Sequence, residues 1–336
     1  MPQETIALVG SETLIGREIR ELVRERRLPA TLRLIGADQD TATLTEEAGE
    51  AVVIQPFEKE ALATVRLVFL AGSRSSSRQA LEFLKRHPGP EIVDLTYAAE
   101  EEPAARLRAP LLEAEPPTLP PGTVHVVAHP AAVAVALLLS RLAAAGGIVR
   151  SVVHVFEPAS ERGRRGVDEL EQQTVSLLSF RELPRKVYDA QVGFTMLARY
   201  GSEAPESLES VELRMERHLV SLLAGKIPVP SLRVVQAPVF HGYTISAWVE
   251  LDRRPDPDEI ARQLASDVVD VRHGDLEPPT NVGVAGQSGI AVGAIAADRN
   301  HPRACWLWAA ADNLRLLADN ALSVAAALLG AREEKR

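Results

Sequence analysis

Residues Thr5–Glu25 read TIALVGSETLIGREIRELVRE. Thr5–Val9 is a continuous apolar run without alternation, which marks a strand buried on both faces, and Gly10 ends it. Beyond the turn, Ile19, Leu22 and Val23 recur at helical spacing, so the stretch reads as strand, tight turn and helix. The pattern repeats in outline. TLRLIGA (31–37), AVVIQP (51–56) and VRLVFLAG (65–72) read as strands, SSSRQALEFLKRH (75–87) as a helix, and EIVDLT (91–96) and VHVVAH (124–129) as further strands. Buried strands interleaved with helices predict an α/β fold with a Rossmann-type, doubly wound, mostly parallel sheet. The segment Pro103–Pro121, ending in PPTLPPG, reads as a proline-rich surface connection rather than an element.

After a helix over 131–145 the texture changes. SVVHVFEPAS (151–160), SLRVVQAPVF (231–240), YTISAWVELD (243–252) and CWLWAAAD (305–312) alternate in part, predicting an α+β domain whose mixed or antiparallel sheet has one more exposed face. Helices are expected at 166–180, 210–225 and 256–266. The closing NLRLLADNALSVAAALLGA (313–331) reads as an amphipathic helix capped by Asp312 and Asn313.

Composition narrows the function classes. A chain of 336 residues suits two domains, and 46% apolar with 25% charged residues is the make-up of a globular protein. The longest apolar run, Ala131–Leu139, falls well short of the roughly 20 residues that span a bilayer, so no membrane partner is expected. Acidic Glu4 and the lack of a basic n-region argue against a signal peptide, and Cys305, the single cysteine, suits a reducing compartment; the expected location is the cytoplasm. A net charge of −9 argues against a nucleic-acid partner, and Arg162, Arg164 and Arg165 read as a solvated loop. His125, His154 and His241 lie on different strands without short ligand spacing, so no metal site is expected.

Five stretches in order carry a resemblance across nearly the whole chain. Leu8–Gly16 is similar to the strand and GATGAVG loop of the aspartate-semialdehyde dehydrogenase family, and Phe69–Ser76 to its FxAGxxxS turn. Pro238–Thr244 resembles its PVFxGHS strand, Pro279–Asp298 its PTxxxVAGxxxxxVGRIRxD run, and Asp312–Ala321 its DNLRKGAAxNA closure. The resemblance implies a dinucleotide-binding domain over 1–128 and 313–336, a catalytic and dimerisation domain over 129–312, a homodimer, and a place in amino-acid biosynthesis. It also implies the chemistry. A cysteine thiolate attacks an aldehyde or acyl phosphate, and a nicotinamide cofactor exchanges a hydride. That needs a lowered thiol pKa, a nearby base and guanidinium groups for phosphate and carboxylate.

Transferred residue by residue, most of that machinery is replaced. The family's NPNCST cysteine falls on Ala132, and the glutamine of TYQAVSGAG on Glu157, an acid that would repel a negative substrate. The arginine before PVFxGHS falls on Gln236, the histidine of GHS on Tyr243, and the phosphate-binding arginine after DNSSAF on Glu100, while the ExRKIL helix falls around Arg214–Val220. The cofactor positions fall on Gly10, Ser11, Thr13, Leu14, Ile15, Gly16, Gly72 and Asn313. Threonine at 13 would cost about 1 to 2 kcal/mol if its backbone were left-handed. Glu12 would compete with phosphate for the donors of the helix N-terminus. Asp38 and Asp40 oppose a second phosphate, favouring NAD over NADP, with weak or absent binding the expectation for either.

The reading that follows is a catalytically degenerate protein like the Usg-type homologues of this family. The alternatives are an NAD(P)-dependent oxidoreductase of altered chemistry, with Tyr243 or His241 as acid or base, and a conventional aspartate-semialdehyde or N-acetyl-glutamyl-phosphate-type dehydrogenase. The residues name no ligand for the remnant pocket.

Overall fold

The computed structural model describes residues 4–37, 42–47 and 50–330; Asp38 and Asp40 lie outside them. Two compact units are present, Met1–Ala128 with Leu317–Arg336, and His129–Leu316.

Unit 1 runs β1 (Glu4–Val9), α1 (Leu14–Glu25), β2 (Ala30–Ile35), β3 (Thr43–Glu47), β4 (Glu50–Ile54), β5 (Leu67–Leu70), α2 (Arg74–Arg86), β6 (Glu91–Asp94), β7 (Ala105–Arg108) and β8 (Val124–Val127). Unit 2 runs α3 (Pro130–Leu142), β9 (Ile148–Glu157), α4 (Gly163–Leu178), α5 (Leu208–Leu223), β10 (Ser231–Gln236), β11 (Tyr243–Leu251), α6 (Pro257–Leu264), β12 (Val269–Arg272), β13 (Ile290–Ala297) and β14 (Ala304–Ala311). The closing helix α7 (Asn313–Leu328) starts in unit 2 and continues in unit 1.

The sheet of unit 1 has six strands in the order β2-β1-β5-β6-β8-β7, every pair parallel. Alternate residues of the central strands serve two cores. Ile6, Leu8 and Phe69 pack with Ile19 and Leu22 of α1 and with Ala321 and Val324 of α7. Ala7, Val9, Val68 and Leu70 pack with Ala80, Leu81 and Leu84 of α2. This double burial is why the strands read as unbroken apolar runs. The chain leaves β1 for β2 on one side and returns to β5 on the other, so the loops after β1 and β5 meet at the switch point.

Two expectations are corrected here. AVVIQP is not a full strand of the parallel sheet: β4 pairs antiparallel with β3, leaving Val53 exposed, and only Gln55 just beyond β4 bridges in parallel to Ile35, its N–H donating to the Leu34 carbonyl at 2.9 Å. The proline-rich connection holds an element, β7, the sheet's edge strand. Its prolines flank the strand and so cost no ladder hydrogen bonds, and Arg108 at its end is buried against Glu113, with Nη2–Oε2 at 2.7 Å.

Unit 2 carries a mixed six-stranded sheet in the order β10-β9-β11-β14-β13-β12. The outer pairs β10–β9 and β12–β13 are parallel and the inner ones antiparallel. Helices α3, α5 and α6 pack together, with α5 on β10 and α6 on β13. The residues between the buried ones, among them Val152, Phe156, Trp248, Trp306 and Trp308, are only partly covered. Among the described residues no helix is long and apolar enough to cross a membrane.

Gly10 separates backbone freedom from close packing. It has φ +87°, and a Cβ there would stand 2.4 Å from the Gly72 Cα, whereas Gly122 has φ +78° and open space. Gly122→Ala should therefore cost about 1 to 2 kcal/mol in urea denaturation, the left-handed term alone, and Gly10→Ala clearly more. Equal losses would contradict the tight junction of the β1 and β5 loops.

Candidate functional site

At the corner into α3, His129 is the N-cap, Pro130 opens the helix and Ala132 follows inside the first turn. Proline is suited to that first helical position, having no N–H to leave unpaired. Ala132 is 1% exposed, so its side chain is a buried methyl group. The His129 backbone N–H donates to Nδ1 of His218 on α5 at 3.0 Å. Burial first, then the positive Arg214 and Arg217, press the His218 pKa down to about 3. Burial likewise holds His129 well below the usual histidine range, helped by His218, Arg214 and Arg162. Both rings are neutral near pH 7.

Parallel pairing of β9 and β10 sets Glu157 opposite Gln236. Glu157 is wholly buried, and Arg162 Nη2 donates to its Oε1 at 2.5 Å. Arg162 Nη1 also bonds Glu206, which accepts from Arg214 Nη1 at 3.3 Å. The Tyr200 hydroxyl lies 2.6 Å from Gln236 Oε1 and 3.3 Å from Glu157 Oε1, while Gln236 Nε2 donates to the carbonyls of Glu157 and Ala237, each at 2.9 Å. Burial and the charge on Glu157 raise the Tyr200 pKa, keeping its proton in place.

This corrects two expectations. Glu157 is no lone repelling charge, because a buried carboxylate needs a partner and Arg162 supplies it. For the same reason Arg162 is no solvated loop residue; its side chain is 9% exposed. Arg164 does lie at the surface, paired with Asp168 at 2.7 Å. The network is incompletely satisfied, since Glu157 Oε2 and Arg162 Nε are buried with no hydrogen-bond partner among the described residues.

One helical turn after β9, Glu161 Oε1 accepts from Asn313 Nδ2 at 2.7 Å, and Oε2 lies 3.7 Å from His129 Nε2. Burial and then the Glu157 charge push the Glu161 pKa up to about 7, against hydrogen bonds from Tyr243 and Asn313 and the charge of Arg162. Asn313 Oδ1 accepts from the Ser160 hydroxyl and the Gly242 N–H, both at 3.1 Å, so its amide is occupied at both ends within unit 2. Tyr243 is fully buried, its ring 6.2 Å from that of His129.

The structure thus gathers Glu157, Gln236, Tyr243 and Asn313 into one buried polar cluster of unit 2, together with Arg162, read from sequence as a solvated residue, His218 of the 214–220 stretch, and Glu161 and Tyr200, which sequence reasoning did not single out. A signal for two of these was present. Counting on from Glu157, the glycine and alanine of TYQAVSGAG fall on Glu161 and Arg162, so two long charged side chains stand where the motif has almost none. Glu100 lies in unit 1, its carboxylate 3.5 Å from Arg74. Cys305 is a core residue of β14 whose thiol burial pushes up to about 12. Among the described residues no group of three His, Cys, Asp or Glu side chains converges on a metal position.

In unit 1 the loop after β1 also differs from expectation. Thr13 has φ −68° and ψ 167°, an extended N-cap, so threonine costs no left-handed strain. Its Oγ1 accepts from the Gly16 N–H at 3.0 Å and lies 2.8 and 2.9 Å from the carbonyls of Gly10 and Ala71. Glu12 does not take the donors of the α1 N-terminus; its Oε1 accepts from the Ala37 N–H at 2.8 Å, just past β2. Ser11 is buried with its hydroxyl 3.3 Å from the Ile35 carbonyl, and Leu14 and Ile15 open α1. A Cβ at Gly16 would sit 2.1 Å from the Gly10 carbonyl oxygen, and one at Gly72 2.6 Å from the Ala37 Cβ.

The buried groups set the pH dependence of stability. His125 (lowered to about 4 by burial, then Arg108), His129 and His218 fold neutral, so their contribution is lost as pH falls below the ordinary histidine value of 6.5. Glu161 has the opposite sign: raised from 4.5 to about 7, it stabilises fully below 4.5 and loses that contribution as pH rises through 7. Three histidines outweigh the two buried carboxyls with raised pKa, Glu161 and Asp94, so the urea midpoint should climb between pH 4.5 and 6.5. The stability of Glu161→Gln relative to the parent should rise over the window from pH 4.5 to 7, by at most about 3 kcal/mol. A difference flat across that window would show that Glu161 is an ordinary carboxylate.

Residues 139–316 match the family described as semialdehyde dehydrogenase, dimerisation domain. The chain is 31% identical over 326 residues to a USG-1 protein homolog of Azotobacter vinelandii, covering 94% of each chain. It is 27% identical over 333 residues to an aspartate-semialdehyde dehydrogenase of Prochlorococcus marinus, covering 97% of this chain and 96% of that one. Its fold matches the structure of a probable aspartate-semialdehyde dehydrogenase from Pseudomonas aeruginosa with TM-score 0.84 and 25% identity, over 97% and 98% of the two chains. With the family model spanning more than half of the chain and the Azotobacter relative nearly all of it, the chain belongs to the aspartate-semialdehyde dehydrogenase family.

Proposed function

We propose that the chain is a catalytically degenerate member of this family, without its thioester chemistry. The observation that carries the reading is the buried methyl group of Ala132 at the nucleophile position. A thioester needs a sulfur that can be deprotonated, and residue 132 supplies none. Gln236 spends its amide on backbone carbonyls and Tyr200, and the Arg162 guanidinium is taken up by Glu157 and Glu206.

In the same reading unit 1 is the dinucleotide-binding domain and unit 2 the former catalytic and dimerisation domain. The loop suits a nicotinamide dinucleotide. Gly10, Gly16 and Gly72 let backbone approach closely, Thr13 is an unstrained cap, and Glu12 Oε2 is buried with no hydrogen-bond partner among the described residues. The backbone of Gly10, Ser11, Thr13, Leu14, Ile15 and Gly16, beside Gly72, would hold it, and when bound it would accept or give a hydride. Binding is weak in this reading, because Thr13 takes the Gly16 N–H for itself. Asn313 is removed from the cofactor set, its amide being tied to Ser160, Gly242 and Glu161.

One observation favours a second reading, an oxidoreductase of altered chemistry. Glu161, with a pKa near 7 beside neutral His129, has the protonation balance of a general acid or base, better than Tyr243 or His241. It predicts cofactor reduction that does not depend on phosphate.

The test of the first reading is Ala132→Cys. Loss of one member of a cooperating catalytic set costs up to about a million-fold, and here the other members are replaced as well, so restoring the thiol alone should leave phosphate-dependent oxidation of aspartate semialdehyde at background. Substantial turnover by that single variant would overturn the reading. The half-covered sheet face with Trp248, Trp306 and Trp308, in the domain that the family model describes as dimerising, supports a homodimer, and the reducing-compartment argument from Cys305 supports a cytoplasmic location. Light scattering should return about twice the 36.4 kDa chain mass; a monomer would contradict the dimer.

A further inference from the structure

We propose that Glu12 makes unit 1 selective for dinucleotides whose adenosine ribose carries a free 2′-hydroxyl and excludes those with a 2′-phosphate. The inference rests on the reading of unit 1 as a dinucleotide-binding domain.

The backbone first brings the loop to the end of β2. The N–H groups of Gly10 and Ser11 both donate to the Ile35 carbonyl, at 2.8 and 3.1 Å. From there the Glu12 side chain reaches past the strand end, and its Oε1 accepts from the Ala37 N–H at 2.8 Å. Gly72, on the other side, leaves no room for a Cβ against Ala37. The ends of β1, β2 and β5 are thus drawn together around one carboxylate at the switch point, where this kind of sheet binds its ligand.

In dinucleotide-binding folds the adenosine ribose is read by an acid about 20 residues beyond the glycine loop, at the end of the second strand. Here an acid reaches that same strand end from within the loop. Its two oxygens then discriminate. Oε1 consumes the Ala37 N–H, the backbone donor that a phosphate there would need. Oε2 is buried and has no donor among the described residues, which is costly for a carboxylate oxygen. A ribose hydroxyl can donate to Oε2 and relieve that cost, whereas a phosphate offers no proton near neutral pH and adds like charge at hydrogen-bond range.

The experiment is calorimetric titration of the full-length protein with ADP-ribose and with 2′-phospho-ADP-ribose, which lack the nicotinamide and so need no turnover. The parent should bind ADP-ribose at least about tenfold more tightly, the least that two like charges a few ångströms apart would produce. Glu12→Gln keeps an acceptor for the Ala37 N–H and removes the charge, so the ratio should fall through a gain for the phosphorylated ligand, with the acidic Asp38 and Asp40 left to supply the preference that remains. Glu12→Thr, which also removes the link to Ala37, should shift it the same way. A ratio unchanged in both variants would overturn the proposal and reduce Glu12 to a staple between the loop and β2. If no variant nor the parent bound either ligand, the dinucleotide reading of unit 1 would fall with it.

Discussion

The Arg162 guanidinium is the cation on which the wholly buried carboxylate of Glu157 depends. It reaches Glu157 at the end of β9 and Glu206 ahead of α5, and Arg214 completes the balance on Glu206. A carboxylate as buried as Glu157 is not tolerated without such a partner, so this one contact permits β9 to end in an acid inside the protein. Tyr200 and Gln236 then close the hydrogen bonds around it. Arg162 is already committed to two carboxylates, which leaves Glu161, one residue earlier, to bear its burial largely by keeping a proton.

In the proposed reading, the site that the family uses for covalent chemistry is here packed polar core. The scaffold residues survive because the fold needs them. His129 and Pro130 open α3, Gly242 has φ +81° beneath Asn281, and Asn313 ties the turn after β9 to the start of β11. None of these roles requires a nucleophile. The architecture can therefore persist whether or not the chemistry does, and the fold alone does not indicate activity.

Much of this was legible in the sequence, for identifiable reasons. Strands buried on both faces, such as Ile6–Val9 and Leu67–Leu70, announce themselves by unbroken apolar runs, and the N-cap of α7 by Asp312, whose Oδ1 accepts from Leu314 and Arg315 at 3.0 Å. The β7 strand ARLR did not, because an edge strand of four residues has too little apolar content to stand out among prolines. The Ala132 substitution was evident because a single residue type decides it. The ion pairs were not, since Arg162 and Glu206 lie 44 residues apart and only the fold brings them together. Thr13 was misjudged because the dihedral at that position is set by its capping hydrogen bonds, and Glu12 because a flexible side chain chose the donor beyond β2 over those of its own helix.

The central claim is that the corner at Ala132 no longer carries out the family's reaction. Its most direct test is the parent protein itself, mixed with aspartate semialdehyde, phosphate and either NAD or NADP, with reduced nicotinamide followed by absorbance. The account predicts no reduction above the protein-free control with either cofactor. Phosphate-dependent reduction that scales with protein concentration would contradict it and would require a nucleophile other than residue 132.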